Sequence, residues 1–186
     1  MLVVGKMIFH VEKLIKLKIK KPSKKENYHN FKTGFDDVDE YFHKEAISQY
    51  KNLQTVLYLV KSNNEIVAFF TLSNDKITFE DIGNKKCWKT FVTKHFPNGL
   101  DFIYFSAIKI GYIGVKKEYH NFGIGSYLMN YIKMMIKKKM VGGGRFLTVD
   151  SYKHVFNFYK RNGFNFISNS DADYDTRLMY FDLKSM

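Results

Sequence analysis

The stretch from Phe102 to Leu183 most constrains the fold, because its hydrophobic pattern switches repeatedly between strand and helix. Phe102 to Val115 is rich in Ile, Phe, Tyr and Val and reads as a long buried strand. It runs into a loop, Lys116 to Phe122, and then into a helix from about Ile124 to Lys139. Leu128, Tyr131, Ile132, Met135 and Ile136 form that helix's apolar stripe. Lys133, Lys137, Lys138 and Lys139 lie toward its C-terminal end, where cations suit the helix dipole. Gly142-Gly143-Gly144 ends the helix, and Phe146 to Val149 reads as a short buried strand. A second helix, Tyr152 to Arg161, stops at the C-cap signal Asn162-Gly163. Phe164 to Ile167 and Arg177 to Leu183 complete the pattern as closing strands. Such alternation predicts an α/β layered fold around a mixed sheet.

Upstream the pattern is richer in hairpins. Leu14 to Lys20 alternates with period two, a half-buried strand with lysines on its wet face. The lysines between Lys13 and Lys25 suit a charge-protected edge strand or an anion-facing patch. Asp36 or Asp37 is the expected N-cap of a helix whose apolar positions are Val38, Tyr41, Phe42, Ala46 and Tyr50. Thr55 to Val60 and Ile66 to Leu72 read as strands, with a turn at Ser62-Asn63-Asn64. Phe79 to Pro97 reads as a helix carrying Trp88 and Phe91, or as an irregular insertion. With no repeat and no linker, 186 residues predict one domain, 1–186. The single cysteine, Cys87, fits a reducing compartment and reads as a small buried hydrophobe. The apolar run Met1 to Ile15 is interrupted by Lys6, Glu12 and Lys13, which predicts no membrane span and a cytoplasmic protein. A net charge of +12 attracts anions, including nucleotides and nucleic acid.

The chemistry concentrates in His120-Asn121-Phe122-Gly123-Ile124-Gly125-Ser126, between a strand and an amphipathic helix. A helix start offers unpaired backbone N–H groups and a positive dipole end. Glycines there let the backbone approach a phosphate, which makes an anion cradle. The loop is not a G-x-x-x-x-G-K-[ST] P-loop. Nor does it carry the third glycine of a dinucleotide fingerprint, because Leu128 stands in that place.

The wider string from Val115 to Leu128 resembles the acetyl-CoA motif of the GNAT acetyltransferases, in which a valine ends a strand and [Q/R]-x-x-G-x-[G/A] opens a helix. Phe146-Leu147-Thr148-Val149-Asp150 followed by Phe158-Tyr159-Lys160-Arg161-Asn162-Gly163-Phe164 resembles the same family's next strand and its F-Y-x-x-x-G-F block. His120 departs from the family's Gln or Arg, Tyr152 from its Asn and Val155 from its Ala. The resemblance implies a mixed, mostly antiparallel central sheet flanked by helices, acetyl-CoA as co-substrate and no metal. It also implies roles for individual residues. The backbone of Ile113, Gly114 and Val115 would pair with the pantetheine arm, and that of His120, Asn121, Phe122, Gly123, Ile124, Gly125 and Ser126 would hold the pyrophosphate. Lys116 and Lys117 would serve the 3′-phosphate or be ordinary surface lysines. A primary amine would attack the thioester directly, with Tyr159 as the acid that protonates the leaving thiolate. No base is evident; Glu80 and Asp81 are candidates if they line the cleft. A site without a base suits low-pKa α-amines, which are partly neutral near pH 7.

A finer resemblance is to the acetyltransferase toxins of toxin–antitoxin systems. It is carried by Phe35-Asp36-Asp37-Val38-Asp39-Glu40-Tyr41-Phe42, by Val67-Ala68-Phe69-Phe70-Thr71-Leu72-Ser73 and by Thr176-Arg177-Leu178-Met179-Tyr180-Phe181. This resemblance implies a charged tRNA as acceptor and an antitoxin as partner; the wider family adds a homodimer formed through sheet edges. Small amines or peptides are the alternative acceptors. A non-catalytic acyl-CoA- or RNA-binding protein of the same fold is the alternative in another class.

Overall fold

The computed structural model of the chain describes residues 17–23, 26–98, 103–139, 143–169 and 171–186. Its elements run β1 (Lys18–Lys20), α1 (Asp36–Lys44), α2 (Ala46–Lys51), β2 (Val56–Ser62), β3 (Glu65–Thr78), α3 (Phe79–Ile82), α4 (Lys85–His95), β4 (Tyr104–Val115), α5 (Ile124–Lys139), β5 (Phe146–Tyr152), α6 (Phe156–Arg161), β6 (Asn165–Phe166) and β7 (Thr176–Asp182). The strand order along the sheet is β1-β2-β3-β4-β5-β7-β6. β1–β2, β2–β3, β5–β7 and β6–β7 are antiparallel, while β4 and β5 are parallel at Ala107↔Phe146, Ile108↔Leu147 and Lys109↔Thr148. A parallel pair needs a long crossover, which α5 supplies. The β2–β3 hairpin closes through Asn63 and Asn64, both at positive φ (49° and 72°), a conformation asparagine tolerates better than most residues. This is the mixed, mostly antiparallel sheet with helices that the resemblance implied.

The chain divides into two compact units: Met1–Ser73 with Ile110–Leu128, and Asn74–Lys109 with Met129–Met186. In the first, Phe42 packs against Phe31 and Phe69 with ring centroids 4.4 and 4.5 Å away. Leu57, Leu59, Ile66 and Ala46 close that core. In the second, Phe91 packs on Phe105, Phe146 and Tyr180, with Ile77 and Ile82 completing the cluster. Each fully buried large side chain contributes roughly 1.5–3 kcal/mol, so the two aromatic cores dominate the stability of their units.

Several local expectations change. The helix expected from Val38 to Tyr50 breaks at Glu45 into α1 and α2, and Glu45 donates its N–H to the Tyr41 carbonyl at 2.9 Å. Phe35, not Asp36 or Asp37, is the residue before the first turn, and no side chain caps it. The stretch after Thr78 is two helices, with Trp88 and Phe91 on the second. Cys87 is exposed rather than buried, because it sits on the wet face of α4's first turn, where Asn84 caps its N–H at 2.9 Å. Tyr152 ends β5, a 3-10 turn Lys153–Val155 follows, and α6 begins only at Phe156. Lys133, grouped by sequence with the lysines at the C-terminal end of α5, is buried in the second unit. Leu14, Ile15 and Lys16 of the first expected strand, the run Met1 to Ile15, Lys24, Lys25, Phe102 and Gly142 lie outside the described residues.

Candidate active site

The loop at the start of α5 is built by the end of β4. Thr71 takes the Tyr112 N–H on its hydroxyl at 2.9 Å, and a Cβ on Gly111 would stand 2.9 Å from the same oxygen. A Cβ on Gly114 would fall 2.6 Å from the Phe69 ring and 2.9 Å from the Thr33 methyl, so only glycine lets the strand lie this close. The Lys116 and Lys117 amides then donate to the Val67 and Lys32 carbonyls at 2.8 and 2.9 Å. A 3-10 turn, Lys117–Tyr119, leads into His120.

His120 does not reach outward as an anion donor. Its Nε2 lies 2.8 Å from the Val115 carbonyl, and since a carbonyl only accepts, Nε2 carries the hydrogen. The ring also stacks on Phe35, with centroids 6.0 Å apart. The residue that replaces the family's Gln or Arg therefore ties the loop back to the strand end. Asn121 and Gly123 take positive φ, 63° and 78°. Among the described residues, its chain neighbours aside, nothing lies within 4 Å of where a Gly123 Cβ would be, so the space at that position is open. The Tyr127 N–H makes the first helical bond, to the Gly123 carbonyl at 2.9 Å. Ile124, Gly125 and Ser126 thus begin α5 with N–H groups that have no partner four residues back within the helix. No acidic residue occupies the first turn to quench the positive end. Ile124 itself is buried and anchors this turn, while Phe122 is half-buried and Ser126 exposed. Open backbone, glycine conformation and an uncompensated helix start together fit a phosphate group.

The two neighbouring lysines differ. Lys116 pairs with Glu65 at 2.6 Å, and the same carboxylate accepts the Tyr119 hydroxyl at 2.9 Å. Burial, reinforced by that carboxylate, pushes the Tyr119 phenol up to about 12. Lys116 is thus a brace of the loop. The Lys117 stem lies against Gly34, with Cδ 3.3 Å from a Cβ placed there.

Tyr159 lies in the second unit, on α6, and is 6% exposed. Its ring meets Phe158 and Phe164 edge-on, at 5.2 and 5.5 Å. Burial pushes its phenol well above the ordinary tyrosine value. Among the described residues no hydrogen bond from its hydroxyl is seen. The candidate bases have other work. Asp81 accepts the Thr78 N–H at 2.7 Å and the Thr78 hydroxyl at 2.9 Å, a capping box for α3. Glu80 is exposed, and the backbone amide at the helix start, with Thr78, holds its carboxyl below the usual range. Asp75 was not signalled by the sequence. It accepts a hydrogen bond from the buried Thr148 hydroxyl, at the last described rung of the β4–β5 ladder, beside the Lys109–Asp150 pair. Only the sheet brings these positions together, so no local motif could have announced them. Among the described residues no group of His, Cys, Asp and Glu could hold a metal ion.

A family model described as an acetyltransferase (GNAT) domain matches residues 54–166. Among solved structures, AtaT complexed with acetyl-methionyl-tRNAfMet is similar at 15% identity and a TM-score of 0.72, over 91% of this chain and 96% of that one. A bacterial toxin is similar at 12% identity and a TM-score of 0.70, over 91% and 92%. AtaTR bound with AcCoA follows at 15% identity and a TM-score of 0.68, over 92% and 96%. At these identities the likeness is one of fold. No curated protein matches.

Proposed function

The chain belongs to the GNAT acetyltransferase family, and from that premise we propose that it transfers the acetyl group of acetyl-CoA to the α-amino group of an aminoacyl-tRNA. The observation that carries this reading is the likeness, over 91% of the chain, to AtaT solved with its acetylated aminoacyl-tRNA. The net charge of +12 supports a polyanionic acceptor. AtaT has also been solved with the C-terminus of an antitoxin, AtaR, and the same reading expects an antitoxin for this chain. A homodimer through a sheet edge is part of the proposal as well.

The backbone N–H groups from Asn121 to Ser126 hold the pyrophosphate, that of His120 being already taken by the Lys117 carbonyl at 3.1 Å, and the backbone of Ile113 to Val115 aligns the pantetheine arm. Positioning of this kind supplies most of the rate in a direct transfer between two bound partners. The free amine forms the new N–C bond as the C–S bond breaks. Tyr159 donates its hydroxyl proton to the departing sulfur, and the proton lost by the nitrogen returns to the phenolate. Burial keeps the phenol protonated until the transfer. An α-amine with a pKa of about 8 supplies enough neutral nucleophile without a dedicated base, consistent with Asp81 serving as a cap.

Thiol release from acetyl-CoA, with charged tRNA, small amines and peptides as parallel acceptors, tests this. Turnover on charged tRNA that falls at least about tenfold in Tyr159→Phe is the expected result, in keeping with the usual weight of a general acid. Turnover on small amines alone removes the tRNA acceptor but keeps the transferase. No acetyl-CoA binding at all overturns the enzyme reading.

A further inference from the structure

Lys133 is a lysine where an apolar residue would be expected. It lies on α5, next in sequence to the buried Ile132 and one turn after the buried Met129, and is 5% exposed. Most buried lysines run their stem along the core and send the ammonium out to water. This one keeps its ammonium inside. Nζ donates to the backbone carbonyl of Asn162 and stands over the Phe181 ring at 3.8 Å and the Phe164 ring at 5.5 Å. No described carboxylate pairs with it, and burial alone lowers its proton affinity. A charged group held without a counter-ion is costly unless it is hydrogen-bonded for a reason of position.

The position in question is the turn after α6. That helix has six residues, too few to hold its own geometry, so its ends set where its side chains stand. The turn satisfies most of its own carbonyls. Asn162 N–H donates to Tyr159 and Phe158 at 3.0 and 3.2 Å, Gly163 N–H to Lys160 at 2.9 Å, and Phe164 N–H to Tyr159 at 3.0 Å. Gly163 permits this with φ of 81°. The Asn162 carbonyl is taken by another element, through Lys133 of α5. The Phe164 ring, which packs edge-on against Tyr159 at 5.5 Å, lies 5.5 Å from the same ammonium.

We propose that Lys133 is a positioning residue for Tyr159, its ammonium fixing the Asn162-Gly163-Phe164 turn against α5 so that the phenol is held in one place. This rests on the reading of Tyr159 as the acid. A lysine does here what leucine or methionine could not, because an apolar side chain takes the donor away from the half-buried Asn162 turn.

The test compares steady-state kinetics of Lys133→Met, Lys133→Arg and Tyr159→Phe, and of Lys133→Met combined with Tyr159→Phe, after thermal melts show each folded. Expected are a tenfold fall in kcat for K133M, KM for acetyl-CoA within twofold, recovery to within threefold in K133R, and no further fall when K133M is added to Y159F. An unchanged kcat, a change confined to KM, or an equal fall in the Y159F background overturns the proposal. Should K133M not fold, Lys133→Gln, which keeps a shorter neutral donor, is put through the same cycle. If neither folds, Lys133 serves the stability of its unit and the proposal fails. Full activity in Y159F alone instead removes the role given to Tyr159, an outcome separate from those for Lys133.

Discussion

Two glycines of the site separate binding from folding. Gly123 has φ of 78° and open space where a Cβ would go. Alanine there meets no neighbour, and its cost is conformational, about 1–2 kcal/mol in a left-handed backbone. That cost falls on the loop proposed to hold the pyrophosphate, a contact made equally in ground and transition states. Gly123→Ala should therefore raise KM for acetyl-CoA about five- to tenfold with kcat nearly unchanged, as expected for uniform binding. Gly114 has the opposite problem. Its Cβ would strike the Phe69 ring at 2.6 Å, inside a well-packed core. Gly114→Ala should cost about 1–3 kcal/mol of stability, read by urea unfolding. The assignment of the loop is wrong if Gly123→Ala lowers kcat as much as it raises KM.

At the scale of elements, what could be read ahead of the structure was local. Asn63-Asn64 marked its hairpin, and Asn162-Gly163 marked the end of α6, because those turns need residues that tolerate positive φ. The span Ile124 to Lys139 was plain from its stripe. The candidate cradle could be proposed from the sequence because it is seven consecutive residues. What stayed hidden depends on residues far apart in sequence, Lys133 with Asn162 and Thr148 with Asp75, or on the direction a side chain takes, as where His120 folds back on Val115. The start of α1 is a further case. Asp36 and Asp37 look like caps, but Asp39 is the working carboxylate. Its Oδ1 accepts the Thr33 N–H at 2.6 Å and the Thr33 hydroxyl at 2.7 Å, and its Oδ2 accepts the Gly34 N–H at 3.2 Å. It thereby fixes the loop that carries Phe35 onto His120. Charge-assisted bonds of this kind give about 1.5–3 kcal/mol, while an exposed carboxylate near a helix start gives about 0.3–1 kcal/mol. Asp39→Ala should lower unfolding stability by the larger amount and Asp36→Ala by the smaller. Equal losses would return the capping role to Asp36.

For the molecule as a whole, acid is the condition most apt to unfold it. The net charge is already +12 at neutral pH, and each carboxylate that takes up a proton adds to the self-repulsion. Among the groups whose proton affinity the fold lowers, two in the second unit act at separate points of the pH scale. His95 is buried between Asp182, 3.0 Å from Nδ1, and the Tyr180 hydroxyl, 3.2 Å from Nε2. Burial lowers its proton affinity, Lys94 and Arg145 add to that, and Asp182 opposes them without prevailing. The folded state therefore resists protonation that the unfolded chain accepts near 6.5. This contribution is complete above 6.5 and is lost as pH falls below it, toward the lower folded value. Burial pushes the Asp182 carboxyl up. Hydrogen bonds from Arg145, the Lys184 amide and His95, with the Arg145 charge, outweigh burial and hold it at about 2 against an ordinary 3.8. Its contribution is complete above 3.8 and is lost as pH falls toward 2, about 1–2 kcal/mol after allowing for solvent screening. Urea unfolding across this range should show a plateau above pH 7, a first decline beginning near 6.5 and a second below about 4. His95→Gln, with no titrating group, should flatten the first decline and leave the second. If the wild type and His95→Gln lose stability in parallel between pH 6.5 and 5, other groups govern the acid response, and the buried histidine is only a packing element of α4.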